Sequence, residues 1–163
     1  MQSIRPIREE ERAQVAALFN NAFRIGSATG AAWIQDVPLE EALAWVDDAA
    51  RVQSFLRIVP YTVHIGGRPL AMGGIGGVCT WADQQGRGQA SALMRRSLEV
   101  MRARGQSVSM LYPFSVRYYR KFGWETVGER ITYTDQPTSN LPEYEEAAQV
   151  RRAQWPDDLP AFA

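Results

Sequence analysis

Val78-Cys79-Thr80-Trp81-Ala82-Asp83-Gln84-Gln85-Gly86-Arg87-Gly88-Gln89-Ala90-Ser91 is the most informative run in the chain. An extended, β-branched segment enters it, two glycines punctuate it and an amphipathic segment leaves it. It therefore reads as a strand, a turn and the start of a helix. The first N–H groups of a helix lack a carbonyl one turn back to bond, and with the helix dipole they attract an anion. Gly86 and Gly88 would let a phosphate approach the backbone closely, because no side chain intervenes. A plain strand-to-helix turn that uses glycine for its dihedrals accounts for the same residues equally well. Two other phosphate loops are excluded. A Walker loop needs Lys and then Ser or Thr after its last glycine, and Gln89-Ala90 stands there. The G-x-G-x-x-G spacing of dinucleotide folds is also absent.

Downstream, a helix is expected from about Gly88 to Arg104. Met94, Leu98 and Met101 lie on one side, Arg95, Arg96, Glu99 and Arg102 lie toward water, and Gly105 forms the C-cap. Val108 to Tyr112 reads as a short buried strand broken by Pro113. Ser115 to Phe122 reads as a short helix stopped by Gly123, and Trp124 to Tyr133 as a last strand. Upstream, Pro69 to Trp81 is extended and unusually rich in glycine (Gly73, Gly74, Gly76, Gly77). Phe55 to Ile65 is β-branched and aromatic and ends at Gly66-Gly67, a hairpin signal. Leu39, Ala42, Leu43 and Val46 mark a helix entered after Pro38. Ile25 to Gly30 is a small-residue loop. Val15, Leu18, Phe19, Ala22 and Phe23 have the spacing of one buried helical face, in a helix opened by Glu9, Glu10 and Glu11. Ser3 to Arg8 suits a first strand.

Composition narrows the function classes. The 163 residues are the size of one ordinary domain, 45% apolar and 22% charged, as in globular proteins generally. Eighteen basic and eighteen acidic side chains cancel. No global field draws the chain to nucleic acid or a membrane surface, and no basic stripe appears. The single cysteine, Cys79, forms neither an internal disulfide nor a thiolate metal cluster within one chain. No apolar run reaches the length of a membrane span. The first residues lack the apolar core of a signal peptide, so a cytoplasmic setting is expected.

Gln85-Gly86-Arg87-Gly88-Gln89-Ala90 resembles the pyrophosphate signature Gln/Arg-x-x-Gly-x-Gly/Ala of the GNAT N-acetyltransferase superfamily. Tyr119-Arg120-Lys121-Phe122-Gly123-Trp124 resembles the Tyr-x-x-x-Gly-Phe/Tyr element that closes the acyl-CoA site there, in the same order and separation. Met110 to Ser115 and Gly73 to Val78 look like the Eis (enhanced intracellular survival) branch, and specifically its first GNAT domain. The resemblance covers roughly Ile4 to Tyr133. It implies an α/β fold, with a mixed, mostly antiparallel sheet and helices on both faces. It also implies acetyl-CoA as cosubstrate, with no metal, and transfer of the acetyl group to a small-molecule or peptide primary amine by direct attack. Residues 1–135 would form the acyl-CoA-binding domain, and 136–163 a tail or the start of a further region. Eis-type proteins continue into a second GNAT-like region and a sterol-carrier-like domain, and their terminal carboxylate is the proposed base. That role does not carry over to Ala163. A CoA-binding or interaction module with little or no turnover is therefore the alternative. Self-association is left open.

By the resemblance, Gln85, Gly86, Arg87, Gly88, Gln89, Ala90 and Ser91 would hold pyrophosphate. Val78, Cys79 and Thr80 would offer backbone groups to the pantetheine arm. Tyr119 would protonate the departing thiolate, with Tyr118 beside it as the rival for the inward position. Arg120 and Lys121 read better as solvated charges, and Arg87 equally well as an exposed loop residue. Ser91 also suits simple first-turn capping. Cys79 is a poor candidate nucleophile. His64 has no second histidine for a triad or zinc set and suits an exposed turn. Trp33, Trp45 and Trp81 are pocket candidates for which packing is the commoner use. Asp36, Glu40 and Glu41 are candidate bases that read more safely as solvated helix charges, and proton loss through ordered water is another route.

Overall fold

The computed structural model describes residues 3–129 and 131–132. The chain divides into two compact units, Met1–Val127 and Gly128–Ala163, and every helix and strand among the described residues lies in the first. Strands β1 (Ser3–Pro6), β2 (Ala42–Val46), β3 (Val52–Ile65), β4 (Arg68–Thr80) and β5 (Val108–Leu111) form one sheet in that order. The first four are antiparallel neighbours, and β4 and β5 run parallel. A parallel pair needs a crossover, which here is helix α3 (Gln89–Ala103). Helices α1 (Arg12–Phe23) and α2 (Ser27–Gln35) precede β2, and α4 (Val116–Arg120) follows β5.

Strand alternation sorts side chains into two cores. On one face Phe55 and Cys79 pack with Val15 and Leu18 of α1 and Ile34 of α2. On the other, Leu43, Leu56, Ile58 and Ile75 pack with Leu93, Met94 and Met101 of α3 and Tyr119 of α4. Helices thus cover both faces of a mixed, mostly antiparallel sheet, the α/β architecture expected from the sequence.

Four local expectations are corrected. Ala42-Leu43-Ala44-Trp45-Val46 is a strand and not a helix, preceded by a single 3-10 turn over Leu39–Glu41. It lies between β1 and β3 and is buried on both faces. A doubly buried strand loses its alternation, and its apolar positions mimic helical spacing. The supposed loop Ile25 to Gly30 belongs largely to α2. Its small residues permit close packing, since a Cβ on Gly30 would stand 2.4 Å from Asn20 Oδ1. Ala22, Phe23 and Leu98 are exposed, and the buried face of α3 is Leu93, Met94, Ser97 and Met101. Trp124 to Glu129 is not a strand, and Ile131 and Thr132 are not in one either. Arg130, Tyr133 and the tail from Gln136 lie outside the described residues.

Candidate active site

The site begins where two strands part. β4 pairs with β5 only through Met72, Gly73, Gly74 and Ile75, opposite Val108 to Leu111. It then continues to Thr80. Gly76 to Thr80 therefore have no strand on their β5 side among the described residues, and strand-edge backbone groups are left open to a ligand. Val78, Cys79 and Thr80 all lie in this stretch.

A β-bulge accompanies the parting. Phe55 faces Cys79 and Arg57 faces Gly76, so Leu56 stands opposite two residues, Gly77 and Val78. Gly77 has φ +63°, the left-handed conformation that one bulge type reserves for glycine. A Cβ there would come within 3.2 Å of both the Phe19 and Trp33 rings. Those rings stack at 4.1 Å between centroids.

After Thr80 the chain makes a 3-10 turn, Ala82–Gln84, and reaches Gly86 and Gly88, with φ +77° and +80°. Gly88 is the N-cap of α3, and Ala92 donates the first helical hydrogen bond, to Gly88 O at 3.0 Å. The N–H groups before it, through Ser91, are the helix's unpaired donors. No atom lies within 4 Å of a Cβ built on Gly86 or Gly88. Gln85 and Arg87 are exposed, Ala90 and Ser91 half-buried, and Gln89 buried. A cleft of about 440 Å³ opens on the β3 side of the turn, lined in part by Trp45, Arg51, Arg87 and Gln89. The parting from β5 lies on the other side of β4.

Ser115 caps α4 through its Oγ, which accepts from Tyr118 N at 3.3 Å. Gly123 follows one turn later, as the sequence predicts. Of the two tyrosines, Tyr119 is the inward one, 4% exposed. It joins the apolar cluster against which Val78 also packs. Burial, and then the neighbouring Tyr118, push its phenol up to about 12, so it stays protonated across the neutral range. Tyr118 is half-buried, and its hydroxyl is enclosed without a partner among the described residues. Burial likewise pushes the Cys79 thiol up to about 12. It is an apolar core group and not a nucleophile.

The remaining candidates separate cleanly. Arg120 is held in a surface pair with Glu125 at 2.6 Å, and Lys121 is exposed. His64 is exposed near the hairpin turn. Trp81 Nε1 donates to Val52 O at 3.0 Å, which makes it a structural residue. Asp36 and Glu40 are exposed. Glu41 is not a solvated helix charge: its side chain is 12% exposed and pairs with Arg57 at 2.8 Å. Two features escaped sequence reasoning, the bulge at Gly77 and Arg57. The signals were a glycine inside a strand and a single charge in the apolar run Phe55-Leu56-Arg57-Ile58-Val59. Among the described residues no group of three or more His, Cys, Asp or Glu is placed to hold a metal ion. No helix among them is long and apolar enough to cross a membrane.

The family described as acetyltransferase (GNAT) domain matches residues 3–127. The chain belongs to the GNAT acetyltransferase family. Solved GNAT-like structures share its fold. One is a probable N-acyltransferase from Enterococcus faecalis, 25% identical with TM-score 0.68, covering 76% of this chain and 32% of that one. Another is a GCN5-related N-acetyltransferase from Kribbella flavida, 29% identical with TM-score 0.67, covering 74% and 32%. A third is a GNAT family acetyltransferase from Brucella melitensis in complex with acetyl-CoA, 22% identical with TM-score 0.59, covering 83% and 94%. The chain thus spans about a third of the length of the Enterococcus and Kribbella proteins. No curated protein matches it.

Proposed function

We propose that the chain is an acetyl-CoA-dependent N-acetyltransferase acting on a primary amine, of the Eis-like branch, with residues 1–135 as its acyl-CoA domain. One observation carries this reading. The parting of β4 from β5 ends at a turn whose two left-handed glycines open a helix. A long thioester with a pyrophosphate fits that shape. Its extended arm takes the place of a strand beside Val78 to Thr80, and its phosphates meet the N–H groups from Gly86 to Ser91.

The chemistry follows from that placement. The neutral amine attacks the thioester carbonyl carbon, and the C–N bond forms. The oxyanion takes hydrogen bonds from the backbone of the open β4 edge. The C–S bond then breaks, and the thiolate takes the Tyr119 proton.

Calorimetric titration with CoA, followed by thiol release from acetyl-CoA in the presence of 2-phenylethylamine, tests both halves. Binding with amine-dependent thiol release is expected. Binding without release would make the chain a CoA-binding module, and absence of binding would overturn the site.

A further inference from the structure

Gly76 is uncovered. Nothing lies within 4 Å of a Cβ built on it, although its neighbours on the same face of β4 are covered. The Tyr61 ring lies 2.6 Å from a Cβ on Gly74, and the Phe19 and Trp33 rings 3.2 Å from one on Gly77. The sheet is therefore bare for one residue between two aromatic walls, next to the bulge. This window is on the α1–α2 face, opposite α3, because Gly76 pairs with Arg57 and Arg57 follows Phe55 by two residues. Cross-strand partners have Cα atoms about 5 Å apart, so the Arg57 side chain stands beside the window. Its guanidinium lies 5.9 Å from the Trp33 ring centroid. Its Nε and Nη2 both contact Glu41 Oε2, at 2.9 and 2.8 Å. That leaves Glu41 Oε1 outside the pair.

We propose that the window over Gly76 admits the acceptor, that Glu41 takes the proton from its ammonium group, and that Arg57 is the positioning residue that aims Glu41. This deepens the acetyltransferase reading and rests on it. The acceptor class is a primary amine carried on a flat apolar group, because Trp33 and Tyr61 are the walls. An ammonium must lose a proton before it attacks, and its ordinary pKa is about 10.4. A lone carboxylate would hold the ammonium in its charged form, whereas a cation beside it favours the neutral amine. The Arg57–Glu41 pair supplies both a proton acceptor and a neighbouring positive charge. The ammonium proton passes to Glu41 Oε1 and from there to water, and the free amine attacks. The proton left on the new amide nitrogen goes to the Tyr119 phenolate formed when the thiolate is protonated. The balance is ammonium plus thioester giving amide, thiol and one solvent proton.

The test is the pH dependence of thiol release from acetyl-CoA with 2-phenylethylamine, with CoA affinity measured in parallel. Glu41→Gln keeps the shape and can still accept from Arg57. It should lower kcat/KM for the amine about 10²-fold at pH 7 and leave CoA affinity within twofold. The deficit should shrink as pH approaches about 10, where the amine is neutral unaided. Arg57→Gln should lower kcat/KM for the amine about tenfold at pH 7, and Arg57→Lys should recover most of that. A Glu41→Gln enzyme that matches the parent at pH 7, or falls equally at pH 7 and pH 9.5, overturns the proposal. A parent that releases no thiol overturns the acetyltransferase reading and takes this proposal with it.

Discussion

The Thr80 hydroxyl lies 2.5 Å from the hydroxyl of Ser54, which is fully buried and donates to Cys79 O at 2.9 Å. Ser54 has one proton and gives it to the carbonyl, so Thr80 donates to Ser54. The last two residues of the open β4 edge are thereby fixed to β3. Ser54→Ala leaves the Cys79 carbonyl and the Thr80 hydroxyl without that partner, at a cost of about 1–2 kcal/mol. Urea unfolding of Ser54→Ala, Thr80→Val and the double variant should give a coupling energy of about 1 kcal/mol. Simple additivity would mean that the two hydroxyls do not act together.

Gly88 has φ +80° with open space around it, so Gly88→Val is resisted by backbone conformation and by the ligand it displaces. CoA affinity should fall at least tenfold while the far-ultraviolet spectrum stays native. Gly105, with φ +71° at the far end of α3, is the control. Gly105→Val carries a similar backbone penalty and should leave CoA affinity unchanged. Equal losses in the two variants would show that the Gly88 effect is strain and not the phosphate site.

Tyr119→Phe should lower kcat about 10²-fold, within the usual range for one general acid, and leave CoA affinity within twofold. Because burial pushes the phenol up to about 12, the parent should show no loss of this acid up to about pH 10. A kcat that falls between pH 8 and 9 in the parent, and does not in Tyr119→Phe, would contradict the buried environment.

Glu11 is buried beneath the first strand. It takes Arg5 Nη2 at 2.6 Å, Arg5 Nη1 at 2.9 Å and the Arg8 backbone N–H at 2.8 Å. The Arg5 hydrogen bonds, opposed by burial and aided by the Arg8 amide, hold its carboxyl below the ordinary 4.5. A depressed carboxyl contributes stability in full above pH 4.5 and loses it as pH falls through the lower folded value. Glu11→Gln should cost roughly 2–3 kcal/mol at pH 7. The gap between variant and parent should narrow below pH 4. Parallel denaturant curves at pH 7 and pH 3.5 would check this, and a gap that widens in acid would refute it.

The strand, turn and helix start around Gly86 and Gly88 were legible because the signal sits in consecutive residues, where glycine punctuates the chain. The hairpin and α3 were legible for similar local reasons. Residues 42–46 were not, because burial on both faces erases the alternation that marks a strand. The same burial conceals the Glu41–Arg57 pair. In a helix over 42–46, Glu41 would fall on a solvated surface. As the residue entering a central strand, it is carried against β3. Ser27 to Gln35 failed for a different reason: small residues serve turns and close helix contacts alike, and only the Asn20 contact decides between them.

The bulge at Gly77 has a consequence for how the protein can change. Gly76 and Cys79 are an odd number of residues apart and yet share one side of the sheet, because one residue is stored out of step between them. Flattening the bulge while keeping the residue would reverse the parity of the strand beyond it: Cys79 would turn out of the α1 core and Val78 would turn into it. Deleting the extra residue would instead leave a regular ladder, with Val78 still opposite Leu56 and Cys79 still opposite Phe55. Deletion at this point is therefore a local event, whereas a β-branched residue that cannot hold the left-handed conformation of Gly77 would press the strand end to turn over, and lineages of this fold should tolerate the first more readily than the second.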